Sequence, residues 1–143
     1  LQDAHLDWRK LMNLASRECF RAVASGVRAL LDRFDWDGVN LAELYFESLE
    51  GASNPARFTP MNNDVRREFH SAAGFDPIEL FAAGRTADPA RLRQFLDWRA
   101  ALAARLQHEW LSELAAVRRE KPHLDIVLTH IDDRFDTGEP VTS

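Results

Sequence analysis

The sequence predicts an α/β fold in which two short apolar strands pair in parallel and long helices connect them. Two long stretches carry apolar residues at helical spacing, and each is followed by a short run of strand-forming residues. Strands that are separated by helices favour parallel pairing through right-handed crossovers. At 143 residues, with 45% hydrophobic content, the chain has the size of one domain. We therefore expect a single α/β unit over residues 1–143.

The first helix is predicted from Ser16 to Phe34, because its apolar residues share one face: Phe20, Val23, Ala24, Val27, Leu30, Leu31 and Phe34. The turn at Asp35–Gly38 leads into the first strand. This strand is expected within the stretch Asp37–Glu47, whose strand formers are Val39, Leu41, Leu44, Tyr45 and Phe46.

A loop and two short helical segments are predicted in the middle of the chain. Residues 48–60 are rich in Ser, Gly, Asn and Pro, which favours an irregular loop. Asn62 or Asn63 is suited to cap a helix that runs to Ala73, where Gly74 would end it. Asp76-Pro77 starts a further helical turn that would end at Gly84.

The longest helix is predicted from Asp88-Pro89 to Glu120, before Pro122. At about 1.5 Å per residue it would measure on the order of 45 Å, which is long for a helix on a sheet, so we expect either a break near Arg99 or an overhang. The second strand is predicted over Leu124–Asp132, and the remaining residues to Ser143 are predicted to form a loop.

Two parallel strands do not close a sheet, so the pattern favours a partial (β/α)₈ TIM-barrel-like segment. The chain is then expected to be a fragment of a larger barrel, or to hold additional strands near residues 1–12 and 135–142. An isolated fragment would expose apolar strand faces, and we would expect it to self-associate.

Charge and composition exclude several classes of protein. A net charge of −5, with basic residues scattered among acidic ones, argues against nucleic-acid binding. No apolar run reaches the roughly 18 residues of a membrane span. The single cysteine, Cys19, excludes an internal disulfide and a cysteine-based metal cluster. No phosphate-binding glycine loop or zinc motif is present, and no cofactor is expected.

Three stretches of the chain form a recognisable series: Asp7-Trp8-Arg9, the run from Leu31 to Asn40 that contains Phe34-Asp35-Trp36-Asp37-Gly38, and the helix from Trp98-Arg99 to Arg118-Arg119-Glu120-Lys121-Pro122. Together they resemble the middle of a glycoside-hydrolase-like (β/α)₈ barrel family of bacterial glycosidases. In that family, a fourth strand that reads YDVDGIHLDDYFYP precedes a loop, a helix that begins near a Trp-Arg pair, and IKP before the fifth strand. The segments Phe58–Phe69 and Gly74–Pro77 resemble the insertion after the fourth strand. The resemblance covers residues 6–132 and implies the third to fifth strands of such a barrel.

The sequence departs from the family at the fourth strand. Asn40 stands where the family has His, and Ala42 and Glu43 stand where it has two aspartates. Ala42 therefore removes one carboxylate, while Glu43 keeps the second.

The resemblance implies hydrolysis of a polysaccharide or oligosaccharide by two carboxylates, one protonated and one ionised. Glu43 at the end of the first strand and Asp132 at the end of the second are the expected catalytic pair, since adjacent parallel strands lie about 4.8 Å apart. The expected substrate-binding residues surround them: Asn40, Tyr45, Glu47, Trp98, His130 and Asp133. Tyr45, Phe46 and Trp98 would offer a stacking surface for a sugar ring.

Other interpretations of these residues remain open. Acidic side chains at strand ends are often solvated or cap the next helix. His130 with Asp132 and Asp133 lacks further ligands at metal-binding spacing, so no metal is expected. The alternative function is a noncatalytic module, derived from a barrel, that binds a glycan or a protein, and Ala42 favours it.

Overall fold

A computed structural model describes residues 5–6, 9–10, 12–42, 44–46, 58–81 and 87–129. Its helices are α1 (Arg17–Arg33), α2 (Asn63–Ala73) and α3 (Pro89–Glu120), and a 3-10 helix spans Pro77–Phe81. The strands are β1 (His5–Leu6), β2 (Arg9–Lys10), β3 (Gly38–Leu41) and β4 (Asp125–Leu128). β1 and β2 pair antiparallel, and β3 and β4 pair in parallel.

The prediction of a TIM-barrel-like α/β segment is wrong. The described residues are mostly helical, with α-helices of 17, 11 and 32 residues, and they show only two parallel strands and no repeating barrel unit. Each strand of the parallel pair has four residues, so its pattern was too short to define a barrel. Near residues 1–12, where additional strands were considered, the described residues form the two-residue strands β1 and β2. Residues 135–142 lie outside the described part.

β3 is shorter than the predicted strand because the backbone leaves the sheet after Leu41. The carbonyls of Leu44 and Phe46 accept hydrogen bonds from side chains of α3. Gln107 Nε2 donates to Leu44 O at 2.9 Å, and the Arg99 guanidinium donates to Phe46 O. Side chains of α3 therefore hold two backbone carbonyls just beyond the end of β3.

The two long helices run side by side in the same direction. Arg17 pairs with Glu109 near one end of the interface, and Arg28 pairs with Glu120 near the other. The two partners are equally far apart in the sequence in both pairs, so residue numbers rise in the same direction along both helices. The Phe20 ring meets the Trp110 ring edge to face at 4.9 Å. This arrangement brings the carboxyl-terminal halves of α1 and α3 together under the sheet.

One face of the β3–β4 sheet is covered by these two helices. The shared core consists of Leu31, Leu114, Val117 and Leu124, with Val27, Val39, Leu41 and Ile126 packed against it. Because side chains alternate along a strand, Asn40 and Val127 point to the opposite face, where both are exposed. Among the described residues, this second face has no covering layer.

A separate aromatic core fixes α2 and the 3-10 helix against the amino-terminal half of α3. Its buried members are Phe58, Met61, Phe69, Phe75, Leu80, Phe81 and Phe95. α2 ends where Gly74 adopts φ of 79° and donates its N–H to His70 O at 2.8 Å. α3 begins where Asp88 Oδ1 accepts from the Ala90 and Arg91 amides. The helix then continues without the break considered near Arg99.

Candidate functional site

The carboxyl-terminal ends of β3 and β4 meet at one edge of the sheet. The register pairs Asn40 with Val127 and Leu41 with Leu128, and the Thr129 amide donates to Leu41 O at 3.0 Å. The two strands therefore end side by side. The chain therefore leaves β3 and β4 at the same edge of the sheet, and the polar residues that follow each strand in the sequence come directly after this edge.

Two exposed polar side chains already meet at this edge. Thr129 Oγ1 donates to Asn40 Oδ1 at 3.0 Å, and both residues are open to solvent. The Asn40 amide nitrogen donates to no acceptor within the described part of the chain. Asn40 therefore offers a donor at the position where sequence analysis expected a substrate-binding residue.

Most of the predicted site residues lie outside the described residues. These are the expected catalytic residues Glu43 and Asp132 and the expected substrate-binding residues Glu47, His130 and Asp133. Their roles stay predictions. The structure describes Asn40, Tyr45 and Trp98, and it does not bring these three together into one surface.

Tyr45 is half-buried beside α3. It borders a cavity of only ≈ 10 Å³, which is lined by Leu14, Leu44, Tyr45, Phe46, Ala103, Leu106 and Trp110. That volume is about the space for a single water molecule. The cavity cannot hold a sugar ring, so a stacking role for Tyr45 would need its exposed portion.

Trp98 lies half-buried between the aromatic core and the neighbouring core at Phe46. Its ring meets Phe69 edge to face at 5.3 Å and stacks with Phe95 at 6.4 Å. These contacts give Trp98 a packing role. Its expected contact with a sugar stays a prediction.

Arg99 is the residue near the site that the sequence interpretation missed. The side chain is 8% exposed, and its guanidinium donates to Phe46 O and, through Nε, to Thr59 O at 2.7 Å. It also lies over the Phe58 ring at 5.0 Å and the Phe46 ring at 5.7 Å. Arg99 therefore ties the segment after β3 to the segment before α2.

The sequence did hold an indication of this role. Arg99 occupies the helical stripe between Phe95 and Leu102, where the spacing of three or four residues places it on the buried face of α3. A charged residue on such a face needs partners, because burial of an unpaired charge is costly. The flanking apolar residues could have identified it as a buried arginine.

The clear pKa shifts among the described carboxylates lie at two ion pairs away from the sheet edge. A hydrogen bond from Arg66 holds the pKa of Asp76 below its ordinary value, and the Ile78 amide adds to this effect. A hydrogen bond from Arg28 lowers the pKa of Glu120 in the same way. Both carboxylates are therefore held in their ionised form.

Two further findings apply to the described ranges only. Within those ranges, no three His, Cys, Asp or Glu side chains come together to hold a metal ion. The helices described here also contain no stretch long and apolar enough to span a membrane.

Comparison of the chain with protein-family models, with curated proteins and with solved structures finds no match. The resemblance to glycosidase barrels therefore depends on the sequence motifs alone.

Proposed function

We propose that this protein hydrolyses a polysaccharide or oligosaccharide, with Glu43 and Asp132 as its acid and base carboxylates. The observation that carries the proposal is the register of β3 and β4, which ends both strands at the same edge. Glu43 follows Leu41 by two residues, and Asp132 follows Leu128 by four. Both carboxylates can therefore belong to one site.

The spacing of parallel strands suits the proposed chemistry. Neighbouring strands lie about 4.8 Å apart, and the two carboxyl groups need about 5–5.5 Å in retaining enzymes or 6.5–9.5 Å in inverting ones. One carboxylic acid gives its proton to the glycosidic oxygen as the bond to the anomeric carbon breaks. The other carboxylate attacks that carbon, or removes a proton from the water that does so.

The exposed groups at the edge support a sugar as the substrate. The Asn40 amide and the Thr129 hydroxyl are open to solvent, 3.0 Å from each other, and sugar hydroxyls both donate and accept hydrogen bonds. We expect these two side chains to orient the sugar beside the carboxylates.

Noncatalytic binding of a glycan or a protein is the second candidate. Ala42 stands where the resemblance expects a carboxylate, and two apolar residues of β4, Val127 and Leu128, are 53% and 38% exposed. Exposed apolar surface of this kind favours contact with a binding partner over solvent.

A hydrolysis assay separates the two candidates. Release of reducing ends from a panel of bacterial and plant glycans is measured for the unmodified protein, Glu43→Gln and Asp132→Asn. Each substitution keeps the shape of the side chain and removes its acid–base function. We expect kcat/KM to fall by about 10²–10⁴-fold in each variant.

Glu113→Gln is the matched control, because Glu113 is exposed on α3 and makes no ion pair or hydrogen bond within the described residues. It should retain full activity. Hydrolysis that is unchanged in both Glu43→Gln and Asp132→Asn would disprove the residue assignment. Binding to a glycan without hydrolysis by any form would favour the second candidate.

A further inference from the structure

The outer side of α2 carries an open cavity that the proposed hydrolysis does not use. Its volume is ≈ 340 Å³, and its lining residues are Asn63, Arg66, Arg67, His70 and Asp76. The first four lie on α2, where Asn63 is three or four residues from each of the two arginines and His70 follows them by the same spacings, so they share one face; Asp76 follows the helix. None of them belongs to the edge of β3 and β4.

Two of the charged groups in this cavity neutralise each other. Arg66 Nε donates to Asp76 Oδ1 at 3.0 Å, and its terminal nitrogen donates to Oδ2 at 2.5 Å. Asp76 Oδ1 also accepts from the Ile78 amide at 3.1 Å. The Asp76 carboxylate therefore already accepts hydrogen bonds from Arg66 and from the Ile78 backbone amide, so it has little remaining capacity to bind a cation.

Arg67 supplies a positive charge that has no counterion among the described residues. Within the described ranges, its guanidinium makes no ion pair and no hydrogen bond, although five N–H donors are available. The His70 ring, one helical turn further along the same face, also has no hydrogen-bond partner among the described residues. The cavity thus combines a net positive charge with unused donors.

We propose that this cavity binds a small molecule through an oxyanion, either a phosphate or a carboxylate group. Arg67 supplies the charge that holds the anion, and His70 supplies a further hydrogen bond. A guanidinium presents two parallel N–H groups, which match the two oxygens of a carboxylate or phosphate. The volume is in the range of small-molecule sites, about 300–1,000 Å³, so the anion can be part of a larger compound.

Titration with two probes tests the proposal. Amide chemical shifts of the full chain are followed by NMR during addition of inorganic phosphate and, separately, glucuronate, at constant ionic strength. We expect saturable shifts at Arg67 and His70. Arg67→Gln should weaken binding by at least about tenfold, the loss typical of one hydrogen bond to a charged group.

Arg21→Gln is the matched control, because Arg21 is exposed on α1 and has no ion pair in the described part of the chain. It makes the same change in net charge and should leave binding unchanged. Saturation by phosphate alone identifies phosphate compounds as the ligand class, and saturation by glucuronate identifies carboxylates. Absence of saturable shifts with both probes, or equal weakening in both variants, would overturn the proposal. These outcomes do not depend on Glu43 or on hydrolysis.

Discussion

Replacement of Arg99 by Met tests how the segment after β3 is held in place. The side chain is almost fully buried, and it donates to the carbonyls of Phe46 and Thr59 from the middle of α3. Methionine fills a similar volume and favours helix. The variant therefore removes the charge and these two hydrogen bonds while most of the packing stays.

The expected loss follows from those contacts. Each hydrogen bond from a charged donor contributes about 1.5–3 kcal/mol, so two contribute about 3–6 kcal/mol. Removal of the buried guanidinium also removes its desolvation cost, which offsets part of this loss. We expect a net destabilisation of about 3 kcal/mol. For a chain of this length, that lowers Tm by about 10 °C.

Urea unfolding followed by far-ultraviolet circular dichroism measures the change. Arg93→Met is the control, because the Arg93 side chain is 78% exposed and, among the described residues, pairs only with Asp97 one turn away. Such a surface pair contributes less than about 0.5 kcal/mol. An Arg99→Met variant within 0.5 kcal/mol of the unmodified protein, or equal to Arg93→Met, would refute the anchoring role.

Three further changes test the helix ends and the ion pair at α2. Gly74→Ala should cost about 1–2 kcal/mol in urea unfolding, because Gly74 has φ of 79°, and an unchanged midpoint would contradict this conformation. Asp88→Ala should cost about 1 kcal/mol, since it removes the acceptor for two amides at the start of α3, and full stability would argue against that cap. Arg66→Gln should raise the pKa of Asp76 towards its ordinary value of 3.8, as measured by NMR titration of the carboxyl group. In the unmodified protein the pKa of Asp76 is lowered in the folded state, so ionised Asp76 stabilises the fold above pH 3.8. This stabilisation is lost as the pH falls through the lowered pKa of the folded protein. The variant should lose less stability on the same acidification, and an equal loss would contradict the pairing.

The helices were predictable from local signals. The first helix was expected from Ser16 to Phe34 and spans Arg17–Arg33, Gly74 ends α2 as expected, and Asp88-Pro89 starts α3 as expected. Each signal acts within a few residues, because a cap satisfies the amides or carbonyls of one helical turn. The parallel pairing of the two strands was also correct.

Local signals could not predict whether the strands belong to a barrel or where β3 ends, because both depend on contacts between residues distant in the sequence. The run from Val39 to Phe46 is rich in strand-forming residues, but the structure ends β3 at Leu41, and the carbonyls of Leu44 and Phe46 accept hydrogen bonds from side chains of α3. The role of Trp98 was also ambiguous in the sequence, because an aromatic residue can either pack in a core or stack on a sugar ring. Its contacts with Phe69 and Phe95 explain the packing role.

The most direct test of the proposed site is to locate where a glycan binds. Amide chemical shifts of the full chain are recorded by NMR during titration with the oligosaccharides of the hydrolysis panel. We predict that a binding oligosaccharide shifts the Leu41 and Thr129 amides and the Asn40 side-chain amide, while Gly38 and Asp125 at the opposite end of the sheet change little. Shifts confined to that opposite end, or no response at Asn40 and Thr129 to any oligosaccharide, would contradict a carbohydrate site at the shared edge of β3 and β4.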